Sequence, residues 1–165
     1  MTAQLHPNVR RVADILAEHG ATGQVVVLTE AAPTAVAAAA QLGCEVGAIA
    51  NSLVFDADGE PLLVLTSGAH RADPARLATA AGASTVRRAT PEFVREHTGQ
   101  PIGGVAPVGH PKPVTTLIDT RLAEHERVWA AAGHPHTVFP TTYDELIALT
   151  GATPVEVSDG GSKTP

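Results

Sequence analysis

The 165-residue sequence predicts an α+β fold, one domain whose mixed, curved, barrel-like sheet is surrounded by short helices. Three observations lead there. Short helical stretches closed by glycine alternate with short runs of β-branched residues. Two of those runs flank Asp58-Gly59, so part of the sheet is joined by a hairpin rather than by helical crossovers. Both faces of each hairpin arm are apolar, as in strands covered on both sides or running inside a barrel.

Residues 7–19 predict a helix, with Pro7 in the first turn, Val9, Val12, Ile15 and Leu16 on one stripe, and Gly20 to end it. A short strand over 24–28 and an alanine-rich helix over 33–42, closed by Gly43, come next. Residues 46–49 read as extended. The hairpin pairs Ser52 to Phe55 with Pro61 to Thr66, and Asn51 shares the parity of Leu53 and Phe55. A polar group on that face needs partners or lines a polar pocket. Asp73-Pro74 and Thr90-Pro91 each open a helix by N-cap and first-turn proline, closed by Gly82 and Gly99. Strands are expected at 85–88, 115–118, 127–131 and 137–139, with one helical turn over 119–124. Thr142 and Glu145 form a capping box for a helix to Thr150, and 154–157 is a final edge strand. The domain therefore spans 1–157, and 158–165 reads as a disordered polar tail.

Composition narrows the function classes. Aromatics are 3%, so the core is built from Ala, Val, Leu and Ile. Eleven basic against seventeen acidic residues, a net charge of −6, argue against a stand-alone nucleic-acid binder that works by neutralising phosphates. No apolar run approaches the ~20 residues of a membrane span. Residues 1–20 lack the basic start and apolar centre of a signal peptide. The single cysteine, Cys44, excludes an internal disulfide and fits a cytoplasmic location.

The most unusual stretch is Gly99 to Pro113, in which eight of fifteen residues are glycine or proline. At its centre, Gly103-Gly104-Val105-Ala106-Pro107 combines two residues free to take φ > 0 with a proline that stiffens the exit. Such a backbone suits an anion or a developing oxyanion, and it equally suits a tight turn between strands. Motifs for nucleotide phosphate, a serine elbow or a zinc helix are absent, and nothing calls for a cofactor. Cys44 reads as a small buried residue. His134 and His136 have a spacing usable by a metal, but no cysteine or acidic cluster accompanies them, so hydrogen-bonded or surface histidines are the simpler reading. His70-Arg71 follows the hairpin, where polar groups either meet a ligand or sit in a solvated loop. Arg87-Arg88 and Arg121 with Arg127 read as solvated faces.

Taken together, Gly47-Ala48-Ile49-Ala50-Asn51-Ser52-Leu53-Val54-Phe55, the strand ending Thr66-Ser67-Gly68, and Gly103-Gly104-Val105-Ala106-Pro107 resemble the YbaK/EbsC family. That family comprises editing domains associated with prolyl-tRNA synthetase and free-standing aminoacyl-tRNA deacylases. Leu117-Ile118-Asp119, Val128 to Gly133 and Thr142 to Leu149 are similar to its closing segments. The resemblance implies a trans-acting, cytoplasmic editing hydrolase that cleaves the ester between a wrong amino acid and the 3′ end of tRNA, with no metal, beside a synthetase that holds the tRNA body. It assigns Asn51, Gly103 and Gly104 as catalytic, and Ser52, Thr66, His70, Val105, Pro107 and His134 as substrate-binding. The family usually has lysine where this chain has Asn51, and no lysine stands nearby in sequence. An asparagine donates and accepts hydrogen bonds without charge. Either Asn51 positions water through its amide, or His70 or His134 takes over, with His134 the foremost candidate for compensation. The alternative is a non-catalytic pocket module that binds an aminoacyl or other small ligand.

Overall fold

The computed structural model describes residues 6–158 apart from Thr22 and Pro33, so all but Ser158 of the expected tail lies outside the described residues. The elements are α1 (Pro7–Glu18), β1 (Val26–Val27), α2 (Ala35–Leu42), a 3₁₀ turn (Val46–Ala48), β2 (Ile49–Ala57), β3 (Glu60–Ser67), α3 (Pro74–Ala81), β4 (Val86–Arg88), α4 (Pro91–Thr98), β5 (Thr115–Asp119), a second 3₁₀ turn (Thr120–Glu124), β6 (Val128–Ala131), β7 (Thr137–Thr141), α5 (Tyr143–Thr150) and β8 (Thr153–Val155).

The strands form one mixed sheet in the order β1-β7-β6-β2-β3-β5-β8, with β4 attached to β2. The hairpin of β2 and β3 is its centre. Asp58 at φ 54° and Gly59 at φ 91° make the two-residue turn between Ala57 and Glu60. β5 lies parallel to β3, and β8 parallel to β5. The sheet does not close into a barrel. Its ends, β1 and β8, stay apart, and it forks at β2. One edge of β2 pairs with β6 through Ile49 and Ala50, and with β4 through Phe55 to Ala57.

Alternation divides the core as the apolar arms imply. On one face Ala50, Val54, Leu63, Leu65, Ile118 and Phe139 pack with α1, α4 and α5 through Val12, Val94 and Leu146. On the other, Phe55, Leu62, Val64 and Leu117 meet Leu77 of α3, while Ile49 and Val138 meet Ala38 and Ala39 of α2. The hairpin is therefore covered on both sides.

Caps set the helix ends. Thr34, Asp73, Thr90 and Thr142 each accept a backbone N–H of the first turn, and Gly43, Gly82, Gly99 and Gly151 adopt the left-handed conformation at the C-termini. Three local expectations change. Residues 46–48 form a 3₁₀ turn, closed by the Ala48 N–H on the Glu45 carbonyl at 3.0 Å, and the strand starts only at Ile49. The first strand shortens to Val26–Val27, because only these residues pair with Val138 and Thr137. In the capping box Glu145 does not reach back to the N-cap amide; its carboxylate accepts the Thr141 hydroxyl at 2.7 Å.

Candidate active site

The fork in the sheet makes the site. Between Ala50, the last residue paired with β6, and Phe55, the first paired with β4, one edge of β2 has no strand neighbour. A cavity of about 290 Å³ occupies the gap. Asn51 to Val54 form one wall; Arg88 at the end of β4, Ala89 just after it, and Trp129 to Ala131 of β6 form the diverging sides. Gly103 and Val105 close it from the glycine loop, and the start of α2 contributes Thr34, Ala35 and Ala38.

Polar groups on the wall and on the strand behind it are incompletely satisfied. Asn51 stands opposite Thr66, and Ser52 opposite Leu65, so Asn51 and Thr66 share one face of the hairpin and Ser52 the other. The Ser52 Oγ and Thr66 Oγ1 are both buried without a hydrogen-bond partner among the described residues. Buried hydroxyls without partners are uncommon and mark places where a ligand or water completes the bonding. Arg88 is the one cation in the lining among the described residues, exposed at the rim, and no carboxylate or histidine shares that lining.

The glycine loop is rigidly braced. Gly103 takes φ 88°, and the Gly104 N–H donates to the Pro101 carbonyl at 3.0 Å, closing a turn. Below it, the buried Gln100 side chain accepts the Ala106 N–H at 2.7 Å and donates to the Val108 carbonyl at 3.2 Å. The His110 Nε2 meets the Ala106 carbonyl at 2.8 Å and therefore donates to it. Burial pushes the His110 pKa below its ordinary value, and Arg11 pushes the same way, outweighing the Ala106 bond.

Of the residues singled out in the sequence, the structure brings Asn51, Ser52, Gly103 and Val105 together around the cavity. Gly104 backs the loop against the His134–Pro135 backbone. Thr66 lies on the next strand, buried behind Asn51. Pro107 lines a different cleft with His110 and Leu149. His70 lies in a third cleft, its Nδ1 3.0 Å from the buried Asp119 carboxylate. That carboxylate also accepts the N–H groups of Ser67 and Arg121. His134 stands beside the cavity next to the lining residue Pro135, its ring 5.3 Å from that of His6 and 5.4 Å from that of His136. Its Nδ1 accepts the His136 N–H at 3.1 Å, and burial first, then His6 and His136, lower its pKa. Among the described residues no group of three or more His, Cys, Asp or Glu is placed to hold a metal. Burial raises the pKa of the Cys44 thiol, the opposite of what a nucleophile needs.

Sequence reading missed Arg88, Gln100 and Trp129. Arg88 looked like half of a solvated pair, and only the fork turns it towards a cavity. Gln100 had a signal, a lone amide inside a stretch of glycine, proline and apolar residues, where a buried polar group must hold something.

Comparison with known proteins fits this geometry. The aminoacyl-tRNA editing domain family matches residues 29–149. The chain is 34% identical over 116 residues to a proline–tRNA ligase of Nitratidesulfovibrio vulgaris, covering 70% of this chain and 19% of that protein. A proline–tRNA ligase of Geobacillus kaustophilus is 36% identical over 73 residues, 44% of this chain and 13% of the ligase. The chain thus spans about a fifth or less of these relatives. Among solved structures, a candidate trans-editing enzyme for prolyl tRNA synthetase superposes with a TM-score of 0.88 at 42% identity, covering 95% of this chain and 100% of that one. The hypothetical protein APE2540 superposes at 0.84 with 28% identity, covering 90% and 99%. A match across most of the chain, carried by the same fold, places this protein in the aminoacyl-tRNA editing domain family.

Proposed function

We propose that the protein is a trans-acting aminoacyl-tRNA deacylase that hydrolyses the ester of a mischarged tRNA. The observation that carries the reading is the cavity at the fork of β2, walled by Asn51 and Ser52 on one side and by Gly103 and Val105 on the other. Its volume suits a small aminoacyl group, and a larger cognate residue is excluded by size.

The reaction is attack of water on the ester carbonyl. With no carboxylate or histidine in the lining among the described residues, catalysis falls to positioning and to hydrogen-bond donors aimed at the developing oxyanion. The Gly103 and Val105 N–H groups meet no acceptor among the described residues and suit that role; Gly104 holds the turn that presents them. Asn51 orients the water or the carbonyl through its amide, in place of a charge. The terminal ribose hydroxyl of the tRNA assists the proton transfer. Arg88 meets a phosphate of the 3′ end, and His134 supports the loop from behind. A synthetase that holds the tRNA body fits the acidic balance of the chain.

One observation favours a second reading. The lining holds no cation besides Arg88 at its rim among the described residues, so a pocket module that binds an aminoacyl group without turnover has the same walls. Hydrolysis of a panel of mischarged tRNAs separates the two. Release of the amino acid supports the deacylase, and binding of the same tRNAs without release supports the module.

A further inference from the structure

The backbone of β2 carries more information than its side chains. The Gly68 N–H donates to the Ile49 carbonyl at 2.8 Å, which fixes Ile49 as a residue whose main-chain groups face β3. Main-chain direction alternates along a strand, so Asn51, Leu53 and Phe55 also face β3, while Ala50, Ser52, Val54 and Asp56 face the opposite edge. The Ala89 N–H on the Val54 carbonyl, at 3.4 Å, confirms the parity from the other side. Ala50 pairs with β6 and Asp56 with β4. Ser52 is left over. Its N–H and C=O point into the cavity and meet no strand partner among the described residues, beside its own buried, unpartnered Oγ.

A strand residue without a neighbour presents a donor and an acceptor at the spacing of an extended main chain. A group that satisfies both must itself carry an acceptor and a donor spaced as the C=O and the N of one amino-acid unit. We propose that Ser52 is the main-chain reader of the site: its N–H donates to the carbonyl oxygen of an α-aminoacyl group, and its C=O accepts from that group's α-ammonium. The ligand lies along β2 as a one-residue strand that fills the gap between β4 and β6. Acyl groups without an α-amine bind poorly, whatever their size. The inference deepens the deacylase reading where it concerns the ester, but the preference for an α-amine stands on the strand edge alone.

Because the Ser52 N–H is outside the β2–β3 ladder, proline fits there better than at Asn51 or Leu53. The test uses the full chain labelled with ¹⁵N, titrated with the non-hydrolysable amides of 3′-amino-3′-deoxyadenosine bearing glycyl or L-alanyl, and with the acetyl amide as the probe lacking the amine. The Ser52 amide resonance moves on saturation, the acetyl probe binds about tenfold more weakly, and Ser52→Pro loses about tenfold in affinity for the aminoacyl probes. An unmoved Ser52 amide, equal affinity for the acetyl probe, or no binding of any probe overturns the proposal. Deacylation of mischarged tRNA, measured in parallel, keeps the two readings apart. Turnover with an unmoved Ser52 removes only this inference, and a moved Ser52 without turnover removes only the deacylase.

Discussion

Gly104 lies against His134 with no room for a side chain. A Cβ on Gly104 would stand 2.7 Å from the carbonyl carbon of His134 and 2.9 Å from its Cα. The obstruction is backbone, which cannot rotate aside. Gly104→Ala therefore pushes the glycine loop off the His134–Pro135 segment, at a cost of about 1–3 kcal/mol. On the proposed deacylase reading, displacing Gly103 and Val105 by about 1 Å should lower single-turnover deacylation about 100-fold. Thermal melts and deacylation rates on the same sample measure both.

Gln100 is the brace beneath that loop, 1% exposed and bonded to Ala106 and Val108. Gln100→Ala leaves a buried N–H and a buried carbonyl without partners, each worth about 1–3 kcal/mol. Urea unfolding should show a total loss of about 2–5 kcal/mol. Gln100→Glu keeps an acceptor for Ala106 but sets a buried carboxylate against the Val108 carbonyl, so at neutral pH it should lose at least as much as Gln100→Ala.

His110 makes stability depend on pH. Its folded pKa lies below the ordinary 6.5, because burial disfavours the cation. The unfolded chain therefore takes up the proton first as pH falls, and stability is full above about pH 6.5 and lost below it. His134, lowered by burial and its histidine neighbours, acts in the same direction. Urea midpoints should drop between about pH 7.5 and about pH 5.5. In His110→Gln, which keeps an amide donor near the Ala106 carbonyl, the drop should be shallower.

Arg88 is exposed at the cavity rim, and Arg87 beside it faces Asp56 at 3.7 Å. If Arg88 meets a tRNA phosphate, Arg88→Ala raises KM with kcat nearly unchanged and lowers the salt slope of binding by about 0.7–0.9. Arg87→Ala should leave the slope unchanged.

What the sequence showed, and what it hid, divides along local and non-local lines. The Asp58-Gly59 hairpin, the proline and threonine caps and the glycine C-caps are written within a few residues, and they were legible. The glycine loop was legible too, because Gly103-Gly104 and Pro107 leave so few conformations open. The fork was not. Its two branches are β4 and β6, about thirty and eighty residues from β2 in the chain, and nothing local says that both join one edge. The mixed sheet was expected, and that it stays open has the same non-local origin: a sheet that forks leaves β1 and β8 as free ends. His70 illustrates the limit for the site. It follows the hairpin directly, yet Asp119 holds it in another cleft. Asn51, by contrast, was readable by parity alone as a polar group needing a partner, and it lines the cavity.

The proposed reaction is hydrolysis of an aminoacyl ester in a cavity with asparagine in its wall. Single-turnover deacylation of a panel of mischarged tRNAs by the native chain, with Asn51→Ala and Asn51→Lys alongside, tests it directly. Release of at least one small amino acid by the native chain is expected, with a loss of about 100-fold or more in Asn51→Ala. A native chain that binds these tRNAs yet spares every one, while Asn51→Lys turns them over, would contradict it and leave a binding module in the fold of an editing domain.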